Sequence, residues 1–205
     1  MDAGALLSLN DHPMPTPLQS FLSTALGPLP EPAQAMLGSS RPMSAGAGEP
    51  LLRAGDRWSS LFWVETGELR FHYLDREGKS TNKNFYLDGA MFWPLPPRLS
   101  GQPVDFWIET ITPSRLWVLP WPDWQVACAD WPEWQALERR VLAGLLDDKM
   151  RREQQFLQYT ATQRYEDLCA RRPEWLARIP LRHLASYLGI TDVALSRIRR
   201  RLNPG

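Results

Sequence analysis

The stretch IPLRHLASYLGITDVALSRIRRRL, Ile179 to Leu202, decides how the whole chain is read. Leu181, Leu184, Ala185 and Leu188 recur at the spacing of one helix face, and the small Ala185 leaves room for a second helix to approach. Gly189 is the residue type that accepts the positive φ of a tight helix-to-helix turn, and Ile190 closes the joint. Thr191 supplies a hydroxyl to cap the next helix, in which Leu195 and Ile198 point inward. Val193, Ser196, Arg197, Arg199, Arg200 and Arg201 then occupy its outer face and flanks. This spacing is that of a helix-turn-helix whose second helix is a reading head. The competing interpretation is an ordinary αα-hairpin that serves only packing.

Charge separates the two. The 205-residue chain carries no net charge, yet from Thr160 onward nine arginines stand against Glu166, Asp167, Glu174 and Asp192, an excess of five positive charges. The body before Thr160 is acidic by the same amount. A basic C-terminal segment on an acidic body is the electrostatic footprint of a nucleic-acid-binding module, because neutralising phosphates supplies much of its affinity.

Working backward, Thr160-Ala161-Thr162-Gln163 is a capping box, so a helix is expected to start there and to stop near Pro173. After Pro132, Trp134, Leu137, Val141, Leu145 and Phe156 fall near a helical period for about 25 residues. One long helix exceeds what a small β-domain needs to cover its edge. Leu137, Val141 and Leu145 are therefore the expected seam with a second copy, with core packing as the alternative.

From Leu51 to Trp121 the texture is that of short strands, at Ser60–Val64, Glu68–Leu74, Asn84–Leu87, Phe106–Ile111 and Arg115–Leu119, separated by Gly-containing turns. Short strands at this spacing point to an antiparallel roll or sandwich. Residues 1 to 50 are rich in Pro, Gly, Ala and Ser, with brief helices expected at Pro17–Leu26 and Glu31–Leu37, and read as a loosely packed lead-in.

Several function classes fall away. Cys128 and Cys169 are too few and too far apart for a disulfide framework or zinc knuckle, and fit a reducing, cytoplasmic setting. No secretory h-region or apolar membrane span stands out, so no membrane partner is expected. No Ser/His/Asp, Cys/His or metal-ligand set appears, so an enzyme is not expected and no cofactor is implied. His12, His72 and His183 read as ordinary surface or hydrogen-bonded histidines.

The order of roll, long helix, capped helix and helix-turn-helix resembles the Crp/Fnr family of bacterial regulators. The resemblance rests on Leu51-Leu52-Arg53-Ala54-Gly55-Asp56, Leu61-Phe62-Trp63-Val64-Glu65-Thr66-Gly67, Glu77-Gly78-Lys79, Asp88-Gly89, Ser100-Gly101-Gln102-Pro103 and Gly189-Ile190-Thr191 with Leu195-Ser196-Arg197-Ile198. It implies an α+β chain in three parts: an N-terminal segment and sensor roll (1–130), a dimerisation helix (131–159) and a DNA-binding helix-turn-helix (160–205). It further implies a homodimer on an inverted repeat of double-stranded DNA, with RNA polymerase a further partner. Thr191, Val193, Ser196, Arg197, Arg199, Arg200 and Arg201 are the expected DNA-binding residues. The three residues after Leu202 are too few for the β-wing that often follows.

Two departures matter. Members that bind cyclic AMP hold it with a Gly-Glu pair and an Arg-Ser or Arg-Thr pair, whereas here Trp93-Pro94 follow Phe92 and Val104-Asp105 follow Pro103. Asp105 would repel a cyclic phosphate that a guanidinium should bind, so cyclic nucleotides are not expected. Phe92, Trp93, Pro94, Val104, Asp105 and Trp107 are candidates for a different pocket holding an unidentified small-molecule effector, although such aromatics can equally fill the roll. The family's cytosine-reading glutamate is replaced by Val193, suited to a thymine methyl, while Arg197 matches the base-reading arginine. The alternative function is a sensor that signals through protein contacts and keeps a vestigial helix-turn-helix.

Overall fold

The computed structural model describes residues 15–95 and 102–202. Two short helices, α1 (Pro17–Leu26) and α2 (Glu31–Gly38), precede eight strands: β1 (Arg41–Ala45), β2 (Pro50–Leu52), β3 (Ser60–Thr66), β4 (Leu69–Leu74), β5 (Ser80–Tyr86), β6 (Met91–Phe92), β7 (Trp107–Thr110) and β8 (Ser114–Pro120). Helices complete the chain: α3 (Trp121–Ala127), α4 (Pro132–Gln158), α5 (Ala161–Arg171), α6 (Pro173–Arg178), α7 (Leu181–Leu188) and α8 (Asp192–Leu202).

The strands form two antiparallel four-stranded sheets, ordered β1-β8-β3-β6 and β2-β7-β4-β5, that face each other as a roll. Strand β3 shows how sequence builds both sides. Phe62 and Val64 point between the sheets, where they meet Phe71, Phe92, Phe106 and Ile108. Leu61 and Trp63 point the other way and need a second cover, because a strand alternates its side chains between faces.

That cover comes from both ends of the chain. Leu18 and Leu22 of α1, and Ala33 and Leu37 of α2, are fully buried against the outer face together with Trp93, Trp121, Trp124, Trp131 and Trp134. Each sits one helical turn from its partner, so each short helix buries a single stripe. Thr16 caps α1 by accepting from the Gln19 amide at 3.2 Å. From Pro17 on, the described part of this segment is therefore not the loose lead-in expected: it supplies core residues, and β1 pairs with β8 along its length. Its Pro and Gly punctuate helix ends that are held by apolar contacts.

Other expectations shift in register. The strand expected at Asn84–Leu87 begins at Ser80, because polar Ser80 to Lys83 pair with β4 on an edge that the C-terminal helices cover. The Glu68 to Leu74 and Phe106 to Ile111 strands trim to Leu69–Leu74 and Trp107–Thr110. At Gly67, φ is 120° and an added Cβ would lie 2.1 Å from Ser114 Oγ, so the turn into β4 admits glycine alone.

The C-terminal helices form a third cluster around Tyr165, Leu168, Trp175, Leu184, Leu188, Leu195 and Ile198. Phe85 of β5 belongs to this cluster, edge-on to Trp175 at 5.0 Å between ring centres. Although it stands on a strand of the roll, it is the peg on which the C-terminal helices sit. His72 is likewise buried, 1% exposed, where a surface or hydrogen-bonded histidine was expected. Its Nε2 lies 3.6 Å from Glu109 Oε2.

Candidate functional site

The helix-turn-helix is built as its spacing requires. Ala185 is fully buried between α7 and α8, and its carbonyl accepts from the Ile190 amide at 3.0 Å to close the turn. Gly189 adopts φ 70° and ψ 33°, and a Cβ there would come within 2.8 Å of Phe156, so both backbone and space select glycine. Thr191 Oγ1 accepts from the Ala194 amide at 3.2 Å and starts α8. Leu195 and Ile198 face inward. Val193, Arg197, Arg199, Arg200 and Arg201 are exposed along the helix, Ser196 is half-buried, and Arg201 reaches Thr162 of α5. The side chains expected to read or grip a ligand thus share the outward side of one well-supported helix.

This C-terminal unit is bolted to the roll by polar contacts around the Phe85 peg. Asn82 of β5 donates from its amide to Ser186 Oγ at 3.0 Å and from its side chain to the His183 carbonyl at 3.0 Å. Arg178 of α6 bonds Glu68 and Asp88. Hydrogen bonds from Arg178 hold the Asp88 carboxyl below its ordinary pKa. His183 lies 3.4 Å from Arg70 Nη1, and burial, with Arg70, Arg182 and His72 nearby, pushes its pKa down to about 4. It is neutral at physiological pH, where a proton would put two cations in contact.

A cavity of about 500 Å³ opens between the roll, α4 and the C-terminal unit. Of the effector candidates Phe92 and Trp93 line it, and Leu145 and Val141 form part of its α4 wall. Pro94, Val104, Asp105 and Trp107 do not contribute to the lining. Val104 is buried in the roll core and its amide donates to the Asp56 carbonyl, Asp105 is exposed, and Trp107 stacks beside His72. Residues 96–101, part of the cassette compared in the sequence, lie outside the described residues.

Leu137 and Val141 pack on the tryptophan cluster of their own chain, and Leu145 is half-buried at the cavity. The exposed apolar residues of α4 are Leu142, Leu146, Met150, Phe156 and Leu157. Leu137 and Val141 thus pack within their own chain, the alternative that the sequence left open.

Cationic residues at the cavity escaped the sequence reading: Lys83, Lys149, Arg152, Arg164, Arg171 and Arg172. A signal existed. Leu145, Asp148, Arg152 and Gln155 continue the stripe of Val141, so the inward face of α4 turns from apolar to charged where it leaves the roll.

The chain is a cyclic-nucleotide-binding-type roll followed by a long helix and a helix-turn-helix. Comparison with known proteins agrees. Residues 42–130 match the cyclic nucleotide-binding domain family. The fold resembles FixK2 from Bradyrhizobium japonicum, with a TM-score of 0.70 at 19% identity over 80% of this chain and 85% of that one. It also resembles the c-di-GMP-responsive global regulator CLP of Xanthomonas campestris, at 0.67 and 15% identity over 84% and 91%. A chain assigned to the crp/fnr family of transcriptional regulators, from Eubacterium rectale, matches at 0.63 and 18% identity over 91% and 86%. No curated protein sequence matches the chain. Among the described residues no helix is long and apolar enough to cross a membrane, and no cluster of His, Cys, Asp or Glu is placed to hold a metal ion.

Proposed function

We propose that the chain is a DNA-binding transcription regulator that works as a homodimer in the cytoplasm, its roll and long helix forming a sensor unit ahead of a helix-turn-helix. The observation that carries this reading is the exposed arginine-rich face of α8 standing on a buried Leu195–Ile198 stripe, at the basic end of an otherwise acidic chain. On this reading Arg197 reads a guanine edge and Val193 a thymine methyl, while Thr191, Ser196, Arg199, Arg200 and Arg201 meet the backbone. RNA polymerase is a partner by family resemblance.

The dimer seam is better assigned to the exposed face of α4 than to Leu137, Val141 and Leu145. Ala143, Leu146, Met150, Glu153 and Leu157 follow an alternating spacing of three and four residues, the period of a paired helix. Two copies joined there present two α8 helices to an inverted repeat whose half-site centres lie about 34 Å apart.

Cyclic AMP and cyclic GMP are not the effectors, since Pro94, Val104 and Asp105 offer no guanidinium to a cyclic phosphate. Selection of bound sequences from a random duplex pool tests the central reading. The expected product is a two-fold repeat whose binding weakens steeply with salt. Recovery of no enriched sequence, with no salt-dependent binding to any duplex, overturns it.

A further inference from the structure

We infer that the cavity between the roll, α4 and the C-terminal unit is a binding site for an anionic amphiphile, an aromatic or acyl body carrying one carboxylate, sulfonate or phosphate group. The inference deepens the sensor reading and rests on it for the ligand's biological purpose, but the binding is measured without DNA.

The cavity has two chemically distinct ends. At the roll it is walled by aromatic rings, among them Trp58, Phe71, Phe92 and Trp93, which offer apolar surface and few polar groups. Toward the C-terminal unit the walls carry Lys83, Lys149, Arg152, Arg164, Arg171 and Arg172 against only Asp148 and Asp167. Arg171 and Arg172 pair with Asp148, at 2.7 and 3.0 Å. Arg152 and Arg164 spend their hydrogen bonds on backbone carbonyls. Arg152 donates to those of Asn82 and Tyr187 at 3.1 and 2.9 Å, and Arg164 to those of Leu188 and Tyr159 at 3.1 and 2.8 Å. Carbonyl dipoles orient a guanidinium without cancelling its charge, so this end keeps a positive potential beside low-dielectric walls, the setting in which an anion is most strongly held.

The α4 wall also leaves space. Gly144 lies in the middle of a 27-residue helix, where glycine is unfavourable, and an added Cβ would meet nothing within 4 Å. No packing among the described residues calls for glycine there, and its absent side chain widens the cavity wall between Val141 and Leu145. The cassette residues Pro94, Val104 and Asp105 contribute nothing to the lining, so the site differs from one built to hold a cyclic phosphate in the roll alone.

The test is fluorescence titration of the full chain with 1-anilinonaphthalene-8-sulfonate, an anionic aromatic probe, alongside the uncharged N-phenyl-1-naphthylamine. Saturable binding of the sulfonate at one site per chain is expected. Lys149→Glu, on an exposed position, should weaken the sulfonate at least fivefold and the uncharged probe less than twofold. Gly144→Leu should weaken both by narrowing the apolar end. Non-saturable binding to the wild type, or sulfonate affinities within twofold of it in both variants, overturns the site. Equal losses of both probes in Lys149→Glu overturn the anionic specificity. A chain that binds the probe but no DNA would sink the regulator reading and leave the site standing; the reverse result would do the opposite.

Discussion

Arg178 of α6 grips Asp88, in the turn before β6, through two parallel contacts, Nη1 to Oδ2 at 2.8 Å and Nη2 to Oδ1 at 3.0 Å. The two residues are 90 positions apart, and with the Arg178 Nε bond to Glu68 at 2.7 Å they tie the C-terminal unit to the roll. Arg178→Gln should loosen that joint. Both side chains are partly exposed, so the direct loss is about 1 kcal/mol. A double-mutant cycle with Asp88→Asn, read by urea unfolding, should return a coupling well above zero; additive effects would show the pair to be energetically independent.

Acid should weaken the same joint through His183. Its folded pKa, about 4, lies below the ordinary value of 6.5, so the unfolded chain binds the proton more readily. Stability from this group is complete above pH 6.5 and is lost as pH falls from there through 4. His72, whose pKa burial also lowers, adds in the same direction. Urea midpoints measured from pH 7 to 4 should fall, and His183→Gln should flatten part of that slope.

If the proposed seam on the exposed face of α4 joins two copies, Leu146→Asp should dissociate them, because it sets a carboxylate into that face. Leu145→Asp should act chiefly at the cavity and leave the association state unchanged. Sedimentation velocity of both variants at micromolar concentration distinguishes the seams; a monomeric Leu145→Asp beside a dimeric Leu146→Asp would reverse the assignment.

Gly144→Ala should stabilise the chain by about 0.5 to 1 kcal/mol, the usual gain for alanine in an unobstructed helix interior. The space beside Gly144 accommodates the methyl group. Thermal unfolding would show a rise in midpoint, whereas a fall would mean that a second copy's helix crosses at this glycine.

Arg197→Ala should cost about 1 to 3 kcal/mol on a selected site and relax preference at one guanine. Arg200→Ala should instead weaken all duplexes alike and lower the salt slope by about one unit. Isotherms on selected and scrambled duplexes at several salt concentrations separate the two. Equal weakening of both duplexes by Arg197→Ala would remove it as the base reader.

The sequence by itself determined the elements whose signals are local. Gly189, Ala185, Leu195 and Ile198 fixed the helix-turn-helix because a turn and two helix faces need only residues a few positions apart. The Thr160–Gln163 capping box formed as written, with the Gln163 amide donating to Thr160 Oγ1 at 3.3 Å. What only the tertiary structure decided was which of several compatible surfaces each apolar stripe would meet. Leu137 and Val141 satisfied the period of a dimer helix yet pack on their own roll, and Leu18 and Leu37 of an apparently loose leader became core. The cavity was invisible for the same reason. Its cations come from β5, α4 and α5, up to about ninety positions apart, and they share a site only because Phe85 seats the C-terminal helices against the roll. Burial is set by the neighbour a face finds in space, and that neighbour is not encoded in the period of the face itself.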